Sequence, residues 1–160
     1  MAVEPRFIVD LNVGRLAKWL RVMGYDTLFP QEGGDNELVR IALREGRVLV
    51  TRDAGIARRR AARLGQMRVV HIVDDVLRSQ LRQMVRDLGL SLEGGFSRCV
   101  RCNELLQPAV KEAVAERLPS YVRQTQSQFM ECPRCRRIYW RGTHWSNMMA
   151  ELGQVYEEGE

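Results

Sequence analysis

Two aliphatic runs that stop on a carboxylate constrain this chain more than any other feature. "RVLVTRD", residues 47–53, has the branched aliphatic composition of a buried strand and ends by delivering Asp53 to its tip. "RFIVD" at the N-terminus does the same with Asp10. A helical pattern follows each run, so these are strands of an α/β domain with a mainly parallel sheet, not a hairpin.

The rest of the N-terminal half repeats that alternation. Residues 6–10 form the first strand. "NVGRLAKWLRVMG" is a helix with Val13, Leu16, Ala17, Leu20 and Met23 on one face and Gly24 as its stop. "YDTLFP" is a short second strand ended by Pro30. Asp35 is placed to cap a helix whose inner side is Leu38, Ile41 and Ala42. The third strand, 47–51, leads into a helix over 53–65. The fourth strand, "MRVVHIV", holds His71 as an expected core histidine, and a helix capped by Asp74 or Asp75 follows. Right-handed crossovers and short connections give strand order 2-1-3-4. That order sets the ends of strands one and three side by side at the switch point, where open sheets bind ligands.

Asp10, Asp35 and Asp53 can therefore converge on one crevice. Three close carboxylates repel one another unless a cation neutralises them. An oxygen-only set without histidine suits Mg²⁺ or Mn²⁺. Such an ion activates a water, neutralises a phosphate and stabilises a leaving oxygen. Glu37 could add a ligand or complement the helix dipole. Taken singly, Asp35 and Asp53 also read as plain helix caps. Asp10 has no such structural duty. Arg15, one turn into the first helix, is placed to grip a phosphate, and Arg52 adjoins Asp53. Arg58 to Arg60 read equally as a solvated helix face.

After "EGG" at 93–95 the character of the chain changes. Cys99, Cys102, Cys132 and Cys135 form two Cys-x-x-Cys pairs separated by 29 residues. Two such pairs suit a tetrahedral structural Zn²⁺, each pair gripping the metal from one tight turn. A redox pair or buried free thiols are the alternatives. The expected domains are an α/β unit over 1–93, a zinc-ribbon module over 96–150 and a C-terminal tail over 151–160. The ribbon is too small to fold on an apolar core alone and needs its metal. Its arginines, Arg101, Arg134 and Arg137 among them, interleave with Tyr139, Trp140 and Trp145. That combination can track a nucleic-acid backbone and stack a base, although Tyr139 and Trp140 equally suit the ribbon's small core. His144 reads as structural.

The net charge of +5 and pI near 9.4 come almost wholly from arginine, whose planar fork suits phosphate. No apolar run approaches a membrane span. No signal peptide is recognisable, so a cytoplasmic location is expected.

With these residues in place the chain resembles the Mut7-C RNase family, a compact relative of the PIN-domain nucleases with a C-terminal zinc ribbon. The segments that carry the resemblance are "VDLNVGRLAKWLRVMGYDT", "DNELVRIALREGRVLVTRD", "SRCVRCNELL" and "CPRCRRIYWRGTHW", in that order, from about residue 6 to about residue 149. The resemblance implies a PIN-like three-layer α/β/α sandwich and metal-dependent hydrolysis of RNA by an endoribonuclease. The acids of the PIN pattern fall on Asp10, Asp35 and Asp53, and its small hydroxyl residue on Thr51. A further glutamate of larger PIN nucleases has no counterpart, because the segment from Gly24 to Gly34 is too short for the helix that bears it; Glu37 is the nearest substitute. The expectation is a Mg²⁺- or Mn²⁺-dependent ribonuclease acting on single-stranded RNA. The alternatives are a non-catalytic nucleic-acid-binding ribbon protein and a DNA-directed nuclease.

Overall fold

The computed structural model of the chain describes residues 4–158. Strands β1 (Phe7–Val9), β2 (Thr27–Leu28), β3 (Val48–Thr51) and β4 (Val69–His71) form one parallel sheet in the order β2-β1-β3-β4. This is the order expected from the sequence. Phe7, Ile8 and Val9 pair with Val48, Leu49 and Val50, so the two central strands end flush.

Side chains alternate between the two sheet faces, and both faces are covered. Phe7, Val9, Val48 and Val50 belong to a core shared with Leu16 and Leu20 of α1 (Arg15–Val22) and Leu81 and Met84 of α5 (Leu77–Leu88). Ile8 and Leu49 point the other way, into a second core with Leu38, Ile41 and Ala42 of α2 (Gly34–Glu45) and Ile56 of α3 (Ala54–Ala57). The result is a three-layer α/β/α arrangement.

Local details depart from the sequence expectation. Asp35 is not the cap of α2: Gly33, at φ 106°, holds that position, and Asp35 lies in the first turn with its charge toward the dipole's positive end. The helix expected over 53–65 is broken into α3 and α4 (Arg60–Arg63) by Arg59 in an extended conformation. From 57 onward the segment offers the sheet only alanines, too little apolar surface to hold one continuous helix. Arg59 instead donates to the Asn36 side chain of α2 at 2.7 Å. His71 is exposed at the last position of β4, and its Nε2 lies 3.1 Å from the Arg52 carbonyl; it is not a core histidine. Neither Asp74 nor Asp75 caps α5: Val76 holds the N-cap position without a side-chain cap bond, and Asp74 only accepts from Val76 N–H at 3.0 Å in the turn ahead of the helix.

The second module contains an antiparallel sheet of β5 (Gln107–Ala109), β6 (Phe129–Glu131) and β7 (Ile138–Tyr139). The helical insert between β5 and β6 is two short helices, α6 (Lys111–Val114) and α7 (Ser120–Thr125), joined through a 3-10 turn. Val114, Leu118, Val122 and Phe129 form its core, with Trp140 packed alongside. The final helix, α8 (Thr143–Glu158), runs across the boundary drawn at residue 150 and returns to the first module. Met148, Leu152 and Val155 join the core with α1 and α5. Their spacing of four and three residues makes one helical face, and that apolar face explains why residues 151–158 are helix and not a separate tail.

The two modules are joined by buried polar contacts. Gly24, at φ 97°, ends α1 where the 93–95 segment crosses it: a Cβ there would stand 2.0 Å from the Gly94 carbonyl oxygen. The side chain of Asn103 accepts from the Thr27 N–H of edge strand β2 at 2.9 Å and donates to Asp26 at 2.7 Å. Arg47, buried at the start of β3, donates to the same Asp26 oxygen at 2.8 Å and to the Phe7 carbonyl at 3.1 Å. Arg21 of α1 donates to the Val100 carbonyl at 2.8 Å.

Burial alone would raise the Asp26 carboxyl, but the hydrogen bonds from Arg47 and Asn103 outweigh it and hold the group below the usual carboxylate range. A folded-state value below the unfolded one gives stability that is full above about pH 4 and is lost as pH falls through the lowered value. Asp26→Asn is therefore expected to flatten the acid limb of melting temperature against pH. An acid limb identical to wild type would show that this carboxylate does not couple to folding.

Candidate active site and metal centre

The carboxyl-terminal edge of the sheet gathers the acids. Asp10 is the residue after β1 and Asp53 the second after β3, so the flush pairing of the two strands brings them to adjacent tips. Thr51 joins them. Its hydroxyl donates to Asp10 Oδ2 at 2.7 Å and accepts from the Asp53 N–H at 2.9 Å. Asp10 Oδ1 also accepts from Leu11 N–H at 2.8 Å and so caps the 3-10 turn Leu11–Val13, a structural duty not expected of it from the sequence, and Asp53 Oδ1 accepts from Gly55 N–H at 2.7 Å. Asp53 therefore caps α3 while its strand position holds it at the edge. Thr51 itself is completely buried, so its hydroxyl has no access to water and its geometry is fixed by these two partners.

Asn12 closes the same edge by accepting from Arg52 N–H at 3.1 Å. It stands in the quoted "VDLN" motif but was not singled out from the sequence; a polar residue two positions after a strand-end acid was the available signal. His71, in register with Thr51, is the other neighbour that sequence reasoning placed elsewhere.

The remaining candidates are distributed unevenly. Asp35 is exposed in the first turn of α2, whose N-terminal end the Asn36–Arg59 contact ties to the α3–α4 junction. Glu37 is paired with Arg40 on the same helix. Arg15, at the start of α1, and Arg52, beside Asp53 in the chain, are both exposed. Arg101 lies in the first cysteine turn, which docks against Thr27 and the end of α1, where the strands begin and not where they end. Arg134 and Arg137 are exposed on the second turn, with Arg134 3.8 Å from Glu104.

The donor chemistry of the acidic edge, carboxylates and a hydroxyl, fits a hard divalent cation. Its carboxylates stand apart, however. Among the described residues, the one group of three or more metal-type ligands whose atoms all lie within 4.8 Å of one another is Cys99, Cys102, Cys132 and Cys135.

That cysteine group is built from two matching turns. Cys102 N–H and Cys135 N–H each point at the sulfur three residues earlier, at 3.4 Å. Asn103 and Arg136 follow at φ 68° and return their N–H groups to the Cys99 and Cys132 carbonyls at 2.9 Å. The Cys99 and Cys135 sulfurs are 3.7 Å apart. A tetrahedron with Zn–S bonds of about 2.3 Å has edges of about 3.8 Å, so the cluster fits Zn²⁺. The Tyr139 hydroxyl donates to Cys99 Sγ at 3.1 Å while accepting from Val100 N–H.

Thiols this close cannot all ionise without a cation. Burial pushes Cys99 up, but the Tyr139 hydroxyl and the amides of Cys102 and Arg101 bring it to about 7. Burial and the neighbouring thiols push Cys102 up to about 12. Zinc bound there would remove that conflict and leave no open position for water, the arrangement of a structural site. The expected metal content is one zinc per chain. Cys132→Ser is expected to lower the melting temperature by about 10 °C or more, given the share of folding free energy such a site carries. Full stability of a zinc-free preparation would contradict it.

Among the described residues no helix is long and apolar enough to cross a membrane. No curated protein and no solved structure matches the chain. The model of the Mut7-C RNAse domain does match, over residues 5–152. That span takes in the acidic sheet edge, both cysteine turns and most of α8, and by it this chain belongs to the Mut7-C RNase family.

Proposed function

We propose that this protein is a metal-dependent endoribonuclease that hydrolyses single-stranded RNA at the edge formed by Asp10, Asp35 and Asp53. The observation that carries this reading is the Thr51 bridge. It fixes two carboxylates at adjacent strand tips, in a chain whose family is a family of ribonucleases.

A Mg²⁺ or Mn²⁺ ion held there supplies charge neutralisation at the phosphate and eases deprotonation of the attacking water. The protein's own residues do the positioning. Asp10 and Asp53 provide ligand oxygens from rigid strand ends, and Asp35 adds a third from the first turn of α2. Thr51 sets the rotamer of Asp10 through its hydrogen bond. Arg15 and Arg52 contribute positive charge toward the phosphates that flank the cut. The ribbon's arginines, Arg101, Arg134 and Arg137, act on more distant parts of the strand. Cellular action in the cytoplasm is part of the same reading.

Cleavage of a labelled single-stranded RNA tests it, with Mn²⁺ present or omitted. Asp53→Asn is expected to lower the rate about a thousandfold, the scale set by losing several kcal/mol of cation-borne stabilisation. Unimpaired cleavage by a cleanly purified Asp53→Asn protein would overturn the assignment. Thr51→Val keeps the shape and removes the bridge. It is expected to cost roughly 1–3 kcal/mol of stability, because the partly buried Asp53 N–H loses its partner, and to reduce cleavage measurably by freeing Asp10. Cleavage and melting both equal to wild type would show that the bridge orders nothing.

A further inference from the structure

An open groove of about 560 Å³ lies between α1 and the start of α5, with α8 as its outer wall. Trp19 lines it while packing against the main core, and Arg15, Val76, Arg78 and Glu151 stand around it. Arg78 and Glu151 are joined across it at 2.8 Å, which fixes the wall formed by α5 and α8. Arg15 links the groove to the acidic edge along the chain. It lines the groove, and only the turn over Leu11–Val13 and Gly14 separates it from Asp10.

We propose that this groove is a nucleotide subsite of the substrate strand. Trp19 stacks an unpaired base, and Arg15 holds the phosphate between that nucleotide and the one at the acids. The inference rests on the ribonuclease reading and deepens it by saying where the strand goes after the cut. Four observations support it. The volume falls within the roughly 300–1,000 Å³ of small-ligand sites. An indole anchored on a core and a guanidinium beside it match a base followed by its phosphate. Asp10 and Thr51 follow Val9 and Val50 and stand on the sheet face opposite them, toward α2 and α3. The groove lies on the other face, so a strand entering both must pass over the sheet edge. That path splays consecutive nucleotides apart, which single-stranded RNA permits and a duplex does not.

The test uses Asp53→Asn protein, so that the strand stays intact, and RNA oligonucleotides carrying one 2-aminopurine at successive positions. Stacking on Trp19 is expected to change the probe's fluorescence at one position, on one side of the cut site. Adding Trp19→Leu should abolish that change and weaken binding about tenfold, the scale of one base–aromatic stack. Trp19→Phe should retain most of both. In the otherwise wild-type enzyme, Trp19→Leu should raise KM by a similar factor with little change in kcat. Melting curves establish that each variant is folded. A folded Trp19→Leu protein with unaltered affinity, probe signal and KM overturns the subsite while leaving cleavage by wild type intact. If wild type does not cut RNA at all, the ribonuclease reading fails on its own, and position-specific probe binding still decides the groove.

Discussion

The two central strands bury every side chain they own on both faces, and that constraint shapes the acidic edge. Phe7, Ile8, Val9, Leu49 and Val50 have no accessible surface. Each such side chain contributes about 1.5–3 kcal/mol relative to exposure, and a polar atom among them would cost a comparable amount. Polar chemistry is thereby driven to the strand tips. At the tips of β1 and β3 the register leaves Asp10, Thr51 and Asp53 together, and the only buried polar group among them, the Thr51 hydroxyl, has both a donor and an acceptor partner. A one-residue slip of β3 against β1 would break that bridge and turn Leu49 and Val50 to the wrong layers. The core and the acidic edge are thus held by the same register.

The opposite end of the sheet is closed by different means. Buried Arg47 needs partners, and Asp26, Glu45 and the Phe7 carbonyl provide them. Asp26 is shared with Asn103, which also covers an edge N–H of β2. Asn103 reaches that place because it sits at positive φ directly after Cys102, where the first cysteine turn closes. Asparagine tolerates that conformation better than most residues. A metal that shapes the cysteine turn would therefore also shape the attachment of the second module to the parallel sheet. Zinc bound there would support a docking surface as well as a small fold.

How legible these features were in the sequence depends on how local their causes are. Strand runs, Gly24 as a stop and the two cysteine pairs are written in neighbouring residues, and the strand order follows from crossover rules applied to them. Asp10 and Asp53 were readable because a strand's end is readable; Thr51 entered only through the family resemblance. Asp35 was read as a cap because aspartate usually serves there; Gly33 takes the position instead, since glycine accepts φ 106° without strain. His71 looked internal because its strand is apolar, but it falls at the strand's last position, where the sheet meets solvent. The break at Arg59 and the return of α8 onto α5 are set by contacts distant in sequence. The spacing of Met148, Leu152 and Val155 nevertheless carried a visible signal for the second. The Asp26–Asn103–Arg47 cluster joins residues 77 and 21 positions apart and had no local signature.

The polarity of the sheet separates two tasks that the sequence lists side by side. In a parallel sheet all strands end on one edge, and crossovers to opposite faces leave a crevice there. The beginning edge has no such crevice and is available for attachment. This chain docks its first cysteine turn at the beginning edge and holds its carboxylates at the other, so Arg101 and Asp10 face different ends of the molecule. The arginines next to the acids in sequence are instead Arg15 and Arg52, each within five residues of a strand-end acid. The ribbon's contribution to the edge comes through α8, which leaves the ribbon after β7 and places Glu151 against Arg78 near the start of α5. A chain segment that begins in the zinc module thus ends as a wall of the groove between α1 and α5. Loss of a metal at the cysteines would be felt at that groove through the positioning of a helix, without contact from any of the four cysteines.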